Sequence, residues 1–243
     1  ETTGSGPVLI IITGALNTHG FGLPGDMVPF LQEHFTVLTY DRRGRGQSGD
    51  TAPYTVYKEL EDLQALIDAN GGNAYLYGHS AGAALALFAA AEFPERVLKI
   101  VAYEPPLSGG RVESLFSKLL MRQVQNQVAR GENLAIVTRF MRFVGMDEDL
   151  IAETLAGEHA QTIIDMAATI AYEAKIQAAT KLFLKSRAQD LAQPVLMLAG
   201  TKSFKTAPAI MVDYTHAIPL AESQLLKGQT HSVEPQVITP ILK

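Results

Sequence analysis

The sequence predicts an α/β fold, with a mostly parallel central sheet flanked by helices and an inserted helical cap. Three observations predict it. Short β-rich apolar runs alternate with helical patterns in the first half, strand character disappears from about residue 108 to 187, and it returns in the last quarter. The early runs cover residues 8–13, 35–40, 74–77 and 97–103, and they are apolar almost throughout. That pattern belongs to parallel strands buried on both faces. Between the second and third runs, Val56, Leu60, Leu63, Leu66 and Ile67 fall at helical spacing, and Gly71 and Gly72 supply a stop signal. Residues 81–92, rich in Ala and Leu with Pro94 beyond, read as a second, closely packed crossover helix.

In the strand-poor stretch, Val112, Leu115, Phe116, Leu119, Leu120, Val124 and Val128 mark the first of several helices. Strand character resumes at 194–199 and, more weakly, at 223–226. The expected organisation is a core formed by residues 1–107 and 188–243, with 108–187 as a cap or lid. No internal repeat, low-complexity tract or linker interrupts it.

Composition narrows the chemistry. The 243 residues, 47% of them apolar, suffice for one sizeable domain. With 20 Lys and Arg against 25 Asp and Glu, the net charge is -5, and the only basic group is Arg42, Arg43 and Arg45, so nucleic acid is not an expected partner. The absence of cysteine excludes disulfides, thiolate metal sites and a cysteine nucleophile. The longest apolar stretches, 8–12 and 81–91, fall short of the roughly 20 residues that span a bilayer. No membrane association is therefore expected. No signal peptide is visible, and a cytoplasmic location follows as the expectation. The abrupt polar opening, a few residues before a strong strand, reads as a trimmed start.

One motif carries chemistry. Gly78-His79-Ser80-Ala81-Gly82 follows a strand ending near Tyr77 and opens the helix beginning near Ala81, the strand, sharp turn and helix that a Gly-x-Ser-x-Gly nucleophile turn requires. Glycines two before and two after the serine permit a strained turn that lifts its hydroxyl above the sheet edge. A helix starting there aims free N–H groups at negative charge developing on a substrate, which makes the Ala81 N–H a natural oxyanion donor.

With this turn in place the chain resembles the α/β-hydrolase superfamily along its whole length, through four landmarks in order. They are Ile10-Ile11-Ile12-Thr13-Gly14-Ala15, Asp41-Arg42-Arg43-Gly44-Arg45-Gly46-Gln47-Ser48, the nucleophile turn, and a late His231 after an apolar strand. The resemblance implies Ser80 as nucleophile, His231 as general base and a second oxyanion donor on the Ala15 backbone, although Thr13 stands where histidine is common. A neutral imidazole within reach is what makes a serine hydroxyl nucleophilic. His79 adjoins the serine but is expected to point elsewhere, His19 is a candidate for the entrance, and His34, His159 and His216 read as surface or packing residues.

The acid departs from the family's pattern. Relatives usually carry an aspartate after the strand at 194–199, but that loop reads Gly200-Thr201-Lys202-Ser203-Phe204-Lys205. Glu104, at the C-terminal end of the strand after the nucleophile helix, takes its place, since ligands and reacting groups gather at that sheet edge and some relatives take their acid there. Asp213 is the fallback, in a helical pattern at 207–216.

Gly44-Arg45-Gly46-Gln47-Ser48-Gly49 matches the Gly-x-Gly-x-x-Gly dinucleotide fingerprint, but its last glycine opens no helix and no acidic residue closes the next strand. No phosphate loop or metal-ligand spacing occurs, so no cofactor and no metal are expected. Cap residues Phe140, Phe143, Met146, Met166 and Ile170 are either core or the lining of an acyl pocket. The resulting expectation is a hydrolase that cleaves an ester, lactone or thioester of a small hydrophobic substrate. Relatives with the same serine also cleave carbon-carbon bonds in diketones. The rival expectation, motivated by the missing loop aspartate, is a ligand-binding member of the fold without catalysis.

Overall fold

A computed structural model of the chain describes residues 1–106, 119 and 122–243. Its strands are β1 (Thr2–Gly4), β2 (Val8–Ile12), β3 (Thr36–Thr39), β4 (Ala74–His79), β5 (Val97–Tyr103), β6 (Val195–Gly200) and β7 (Ala221–Leu226). They form one sheet in the order β1-β3-β2-β4-β5-β6-β7. β1 runs antiparallel to β3, and the other pairings are parallel.

Side chains alternate across the sheet, as the strand period of two requires. Leu9 and Ile11 pack with Val37, Tyr77, Tyr103 and Leu198 on one face, beneath the helices Leu23–Leu31 and Pro235–Leu242. Ile10 and Ile12 pack with Leu38, Leu76, Ile100 and Met197 on the other, beneath Val56–Ala69, Ala81–Glu92, Ile170–Ser186 and Ala207–Ala217. Burial on both sides explains the continuous apolar runs. The helix Ala81–Glu92 is buried from Ala81 through Ala90. Its alanines let it approach the sheet closely, so the residue that opens it is held firmly.

The chain leaves β2 toward β3 on one side and returns through β4 on the other. The crevice beyond the C-terminal ends of β2 and β4 is therefore the topological switch point, where open α/β sheets bind ligands.

Two helices and one strand escape the pattern reading. Leu23–Leu31 contains Pro24, Gly25 and Pro29, residues that read as breakers, yet Pro24 stands in the first turn, where its missing N–H has no intrahelical partner to lose. Pro235–Leu242 likewise opens on proline and has Pro240 inside it. β1 is three exposed residues held only by β3.

Between β5 and β6 the described residues from 122 to 187 form helices without strands. Val124, Ile136, Val137, Met141, Ile151, Ile163 and Met166 make a separate cluster there. Of the residues that mark the first cap helix, Val112, Leu115, Phe116 and Leu120 lie outside the described residues. Val124 is buried and Leu119 is exposed. Packing does not divide the chain where strand character does: in Ile170–Ser186, Ile170 and Ala171 join the cap cluster, whereas Ile176 and Phe183 join the main core, with Phe183 5.0 Å from Phe88 between ring centroids.

Candidate active site

Ser80 sits between β4 and its helix with φ 55° and ψ -121°, a left-handed backbone unusual for a side chain with a Cβ. The flanking glycines are obligatory for steric reasons. A Cβ on Gly78 would lie 2.4 Å from the Gly82 carbonyl oxygen, and one on Gly82 would lie 2.1 Å from that of Ile12. The turn is fastened by the Ser80 N–H, which donates to the Tyr103 carbonyl at 2.8 Å, and by the Ser80 carbonyl, which accepts from Ala83 N at 3.0 Å.

The end of β5 carries Glu104, buried and also in a left-handed conformation, φ 46°. Its Oε2 lies 2.5 Å from His231 Nδ1. His231 belongs to the loop after β7, and three of that loop's carbonyls are pinned by neighbouring strand ends. Lys202 N donates to Gln229 at 2.8 Å, the Tyr103 hydroxyl to Thr230 at 2.5 Å, and His79 Nε2 contacts the His231 carbonyl at 2.8 Å. Burial, with Glu104 adding to it, raises the Tyr103 phenol well above its ordinary range and keeps it a donor. Burial and then the neighbouring His231 push His79 down to about 4. A neutral His79 donates from Nε2, its ring lying 4.9 Å from that of His231 and 5.7 Å from that of Tyr103 between centroids. His79 thus points at the loop carrying His231. Among the described residues no hydrogen bond joins the Ser80 hydroxyl to His231.

Gly14 closes the third side, since a Cβ built on it would lie 3.0 Å from Ser80 Cβ. The Gly14 carbonyl accepts from Arg42 Nη1 at 3.4 Å. The Ala15 N–H belongs to the same peptide unit and points the opposite way, because amide and carbonyl are antiparallel across a trans peptide. Neither the Ala15 nor the Ala81 N–H has an acceptor among the described residues.

Sequence comparison identifies the architecture. The sequence profile of the alpha/beta hydrolase fold family matches residues 7–233. The chain belongs to the α/β-hydrolase family. A solved α/β-hydrolase from Sphaerobacter thermophilus is 33% identical and superposes with a TM-score of 0.85, covering 100% of this chain and 93% of its own. Lipase LipV of Mycobacterium tuberculosis is 32% identical over 122 residues, 48% of this chain and 45% of that protein. The uncharacterized hydrolase YraK of Bacillus subtilis is 30% identical over 115 residues, 44% of this chain and 40% of that protein. The chain thus matches less than half the length of these two curated relatives.

In this α/β-hydrolase the end of β6 and the loop after it hold donors where relatives usually carry an acid. Gly200 N donates to Glu104 Oε1 at 2.8 Å and Ser203 Oγ to Oε2 at 2.6 Å. Sequence reasoning missed both, because a serine in a polar loop carries no signal of its partner. Asp213 is exposed on the helix Ala207–Ala217. His19 turns toward Asp41, its Nδ1 2.9 Å from Oδ1, and Gln47 N donates to Asp41 Oδ2 at 2.8 Å. The Gly-x-Gly-x-x-Gly stretch wraps this carboxylate: a Cβ on Gly46 would meet Asp41 Oδ2 at 2.1 Å.

Arg42 and Arg45, two of the three residues of the short basic group, are buried. Arg42 Nη2 pairs with Glu59 at 2.8 Å and Nη1 with Glu173 at 3.2 Å, and Arg45 pairs with Glu173. Among the cap residues, Met166 and Ile170 are buried and Phe140 and Met146 half-buried in the cap cluster, whereas Phe143 is 68% exposed and lines no interior pocket.

Proposed function

We propose that this α/β-hydrolase is a serine hydrolase cleaving carboxylic ester-like bonds of small hydrophobic substrates through an acyl-enzyme on Ser80. The observation that carries the reading is the 2.5 Å contact between Glu104 and His231 Nδ1, beside a strained serine turn. That contact fixes the imidazole tautomer with Nδ1 protonated, leaving Nε2 as the base. The Ser80 Oγ attacks the substrate carbonyl and its proton passes to His231 Nε2, while the Ala15 and Ala81 N–H groups hold the oxyanion. His231 then returns the proton to the leaving alcohol, the acyl group stays on Ser80, and water repeats the sequence to release the acid. The Ser80–His231 hydrogen bond forms as substrate enters, since such bonds tighten in the substrate complex.

Apolar character of the substrate is supported by the cap cluster, which takes in Ala15, Leu16 and Phe21 from the loop after β2. The lipase named among the relatives supports acyl-ester chemistry.

Fluorophosphonate labelling and p-nitrophenyl esters of increasing acyl length test the proposal. Labelling is expected in the wild type, lost in Ser80→Ala and strongly reduced in His231→Ala, with kcat/KM rising from acetyl to longer acyl chains. Glu104→Gln is expected to fold normally and lose about 10²- to 10⁴-fold in turnover. A folded wild type that resists labelling would instead indicate a ligand-binding protein, and near-normal turnover of Glu104→Gln would remove it from the triad.

A further inference from the structure

We infer that Ser203 is a positioning residue for this hydrolase: its hydroxyl holds the Glu104 carboxylate in the one orientation that serves His231. The inference rests on the proposed Ser80, His231 and Glu104 triad and deepens it. Glu104 has one more methylene, and so one more rotatable bond, than the aspartate usual in relatives. It approaches His231 from β5, and its buried carboxylate has no Lys or Arg partner among the described residues. Neutral donors therefore carry the load. Gly200 N fixes Oε1, while the Ser203 hydroxyl and His231 Nδ1 share Oε2.

The two donors are themselves anchored. Gly200 lies so close to the His231 loop that a Cβ would meet the Gln229 carbonyl at 2.1 Å, and Ser203 N closes a turn onto the Gly200 carbonyl at 3.3 Å. Without the Ser203 bond, one oxygen remains tethered and the carboxylate is free to rotate about it, so Oε2 no longer stays opposite Nδ1. The loop that lacks an acid thus supplies the group that steadies the acid brought from β5.

The experiment measures p-nitrophenyl butyrate hydrolysis and the rate of Ser80 phosphonylation in Ser203→Ala, Ser203→Thr, Glu104→Ala and the Ser203→Ala/Glu104→Ala double variant, each first shown to be folded by circular dichroism. Ser203→Ala is expected to lower kcat about 10- to 100-fold, the worth of one hydrogen bond to a charged group. KM should stay within about twofold. Ser203→Thr, which keeps the hydroxyl, should recover most of the rate. In the Glu104→Ala background, Ser203→Ala should cost nothing more, because its effect passes through the missing carboxylate. Wild-type kcat in Ser203→Ala, with Glu104→Ala impaired, overturns this inference and leaves the triad standing. So does a full additional loss in the double variant, which would mark a general structural role. Wild-type kcat in Glu104→Ala removes the triad reading and this inference together.

Discussion

At Ser80 a left-handed backbone is imposed on a residue that has a Cβ, and such strain costs on the order of 1–3 kcal/mol. Glycine adopts the same angles freely but loses more chain entropy on folding, about 0.5–1 kcal/mol. Ser80→Gly is therefore expected to raise unfolding stability by about 1 kcal/mol in urea titrations while abolishing labelling. A destabilised Ser80→Gly would show that the turn is relaxed as it stands. The strain persists because both ends of the turn are bonded, Ser80 N to Tyr103 and Ser80 O to the first turn of the helix. Glu104 repeats the device at the next strand end, its left-handed φ of 46° secured by its N–H to the Leu198 carbonyl at 2.9 Å.

Between elements, the helix Ala81–Glu92 approaches β2 closely at Gly82. Gly82→Ala forces a Cβ to within 2.1 Å of the Ile12 carbonyl, and backbone on both sides must move. A loss of about 1–3 kcal/mol or more is expected, with Ser80 labelling impaired. Gly49→Ala is the control: its Cβ would meet nothing within 4 Å, and its urea midpoint should move by less than about 0.5 kcal/mol in stability. Equal effects at the two glycines would refute the packing argument.

The helix Ile170–Ser186 is joined to the loop after β3 by charge. Glu173 meets both Arg42 and Arg45, and Arg42 also donates to the carbonyls of Thr13 and Gly14. Glu173→Leu leaves two buried guanidinium groups facing Glu59 alone, and a loss of about 3–5 kcal/mol is expected. By contrast, breaking the exposed Arg142–Glu148 pair should leave the urea curve unchanged. A mild Glu173→Leu would mean that water reaches the cluster.

For the molecule as a whole, acid is the direction of lost stability. His79 holds about 4 in the folded state against 6.5 for a free imidazole, so the unfolded chain binds its proton first as pH falls. The contribution of neutral His79 is complete above pH 6.5 and lost between about 6.5 and 4, to at most about 3 kcal/mol. Glu59 and Asp41 add a second stage further down. Although burial opposes both, Arg42 holds the Glu59 carboxyl below its ordinary range, and the Gln47 and His19 N–H groups do so for Asp41. These contributions are present above the ordinary carboxylate range and disappear as pH falls through the lowered values. Urea titrations from pH 8 to 4 should show the decline, and His79→Gln should flatten its upper part. An unchanged slope in that variant would assign the decline to other groups.

The part of the fold readable along the chain follows from local rules. Strands buried on both faces must be apolar throughout, a crossover helix must repeat its apolar residues every three or four positions, and a serine turn this cramped must have glycine two residues to either side. Those rules made the sheet, its crossover helices and the Ser80 turn legible, and four motifs in order carried the resemblance to the family. The helix Leu23–Leu31 escaped them because its prolines carry a local meaning that packing overrides.

Which donors and counter-charges surround the site residues emerges only on folding. The position of Glu104 at a strand end marked it as a partner for His231, but Ser203 lies on another loop, and nothing in a loop serine names the carboxylate it will hold. That Arg42 and Arg45 are buried was likewise not legible, because charge in a sequence does not record burial. The parallel order of β4 to β7 brings the ends of those strands to one edge, and that convergence, a property of the sheet rather than of any segment, assembles the candidate site.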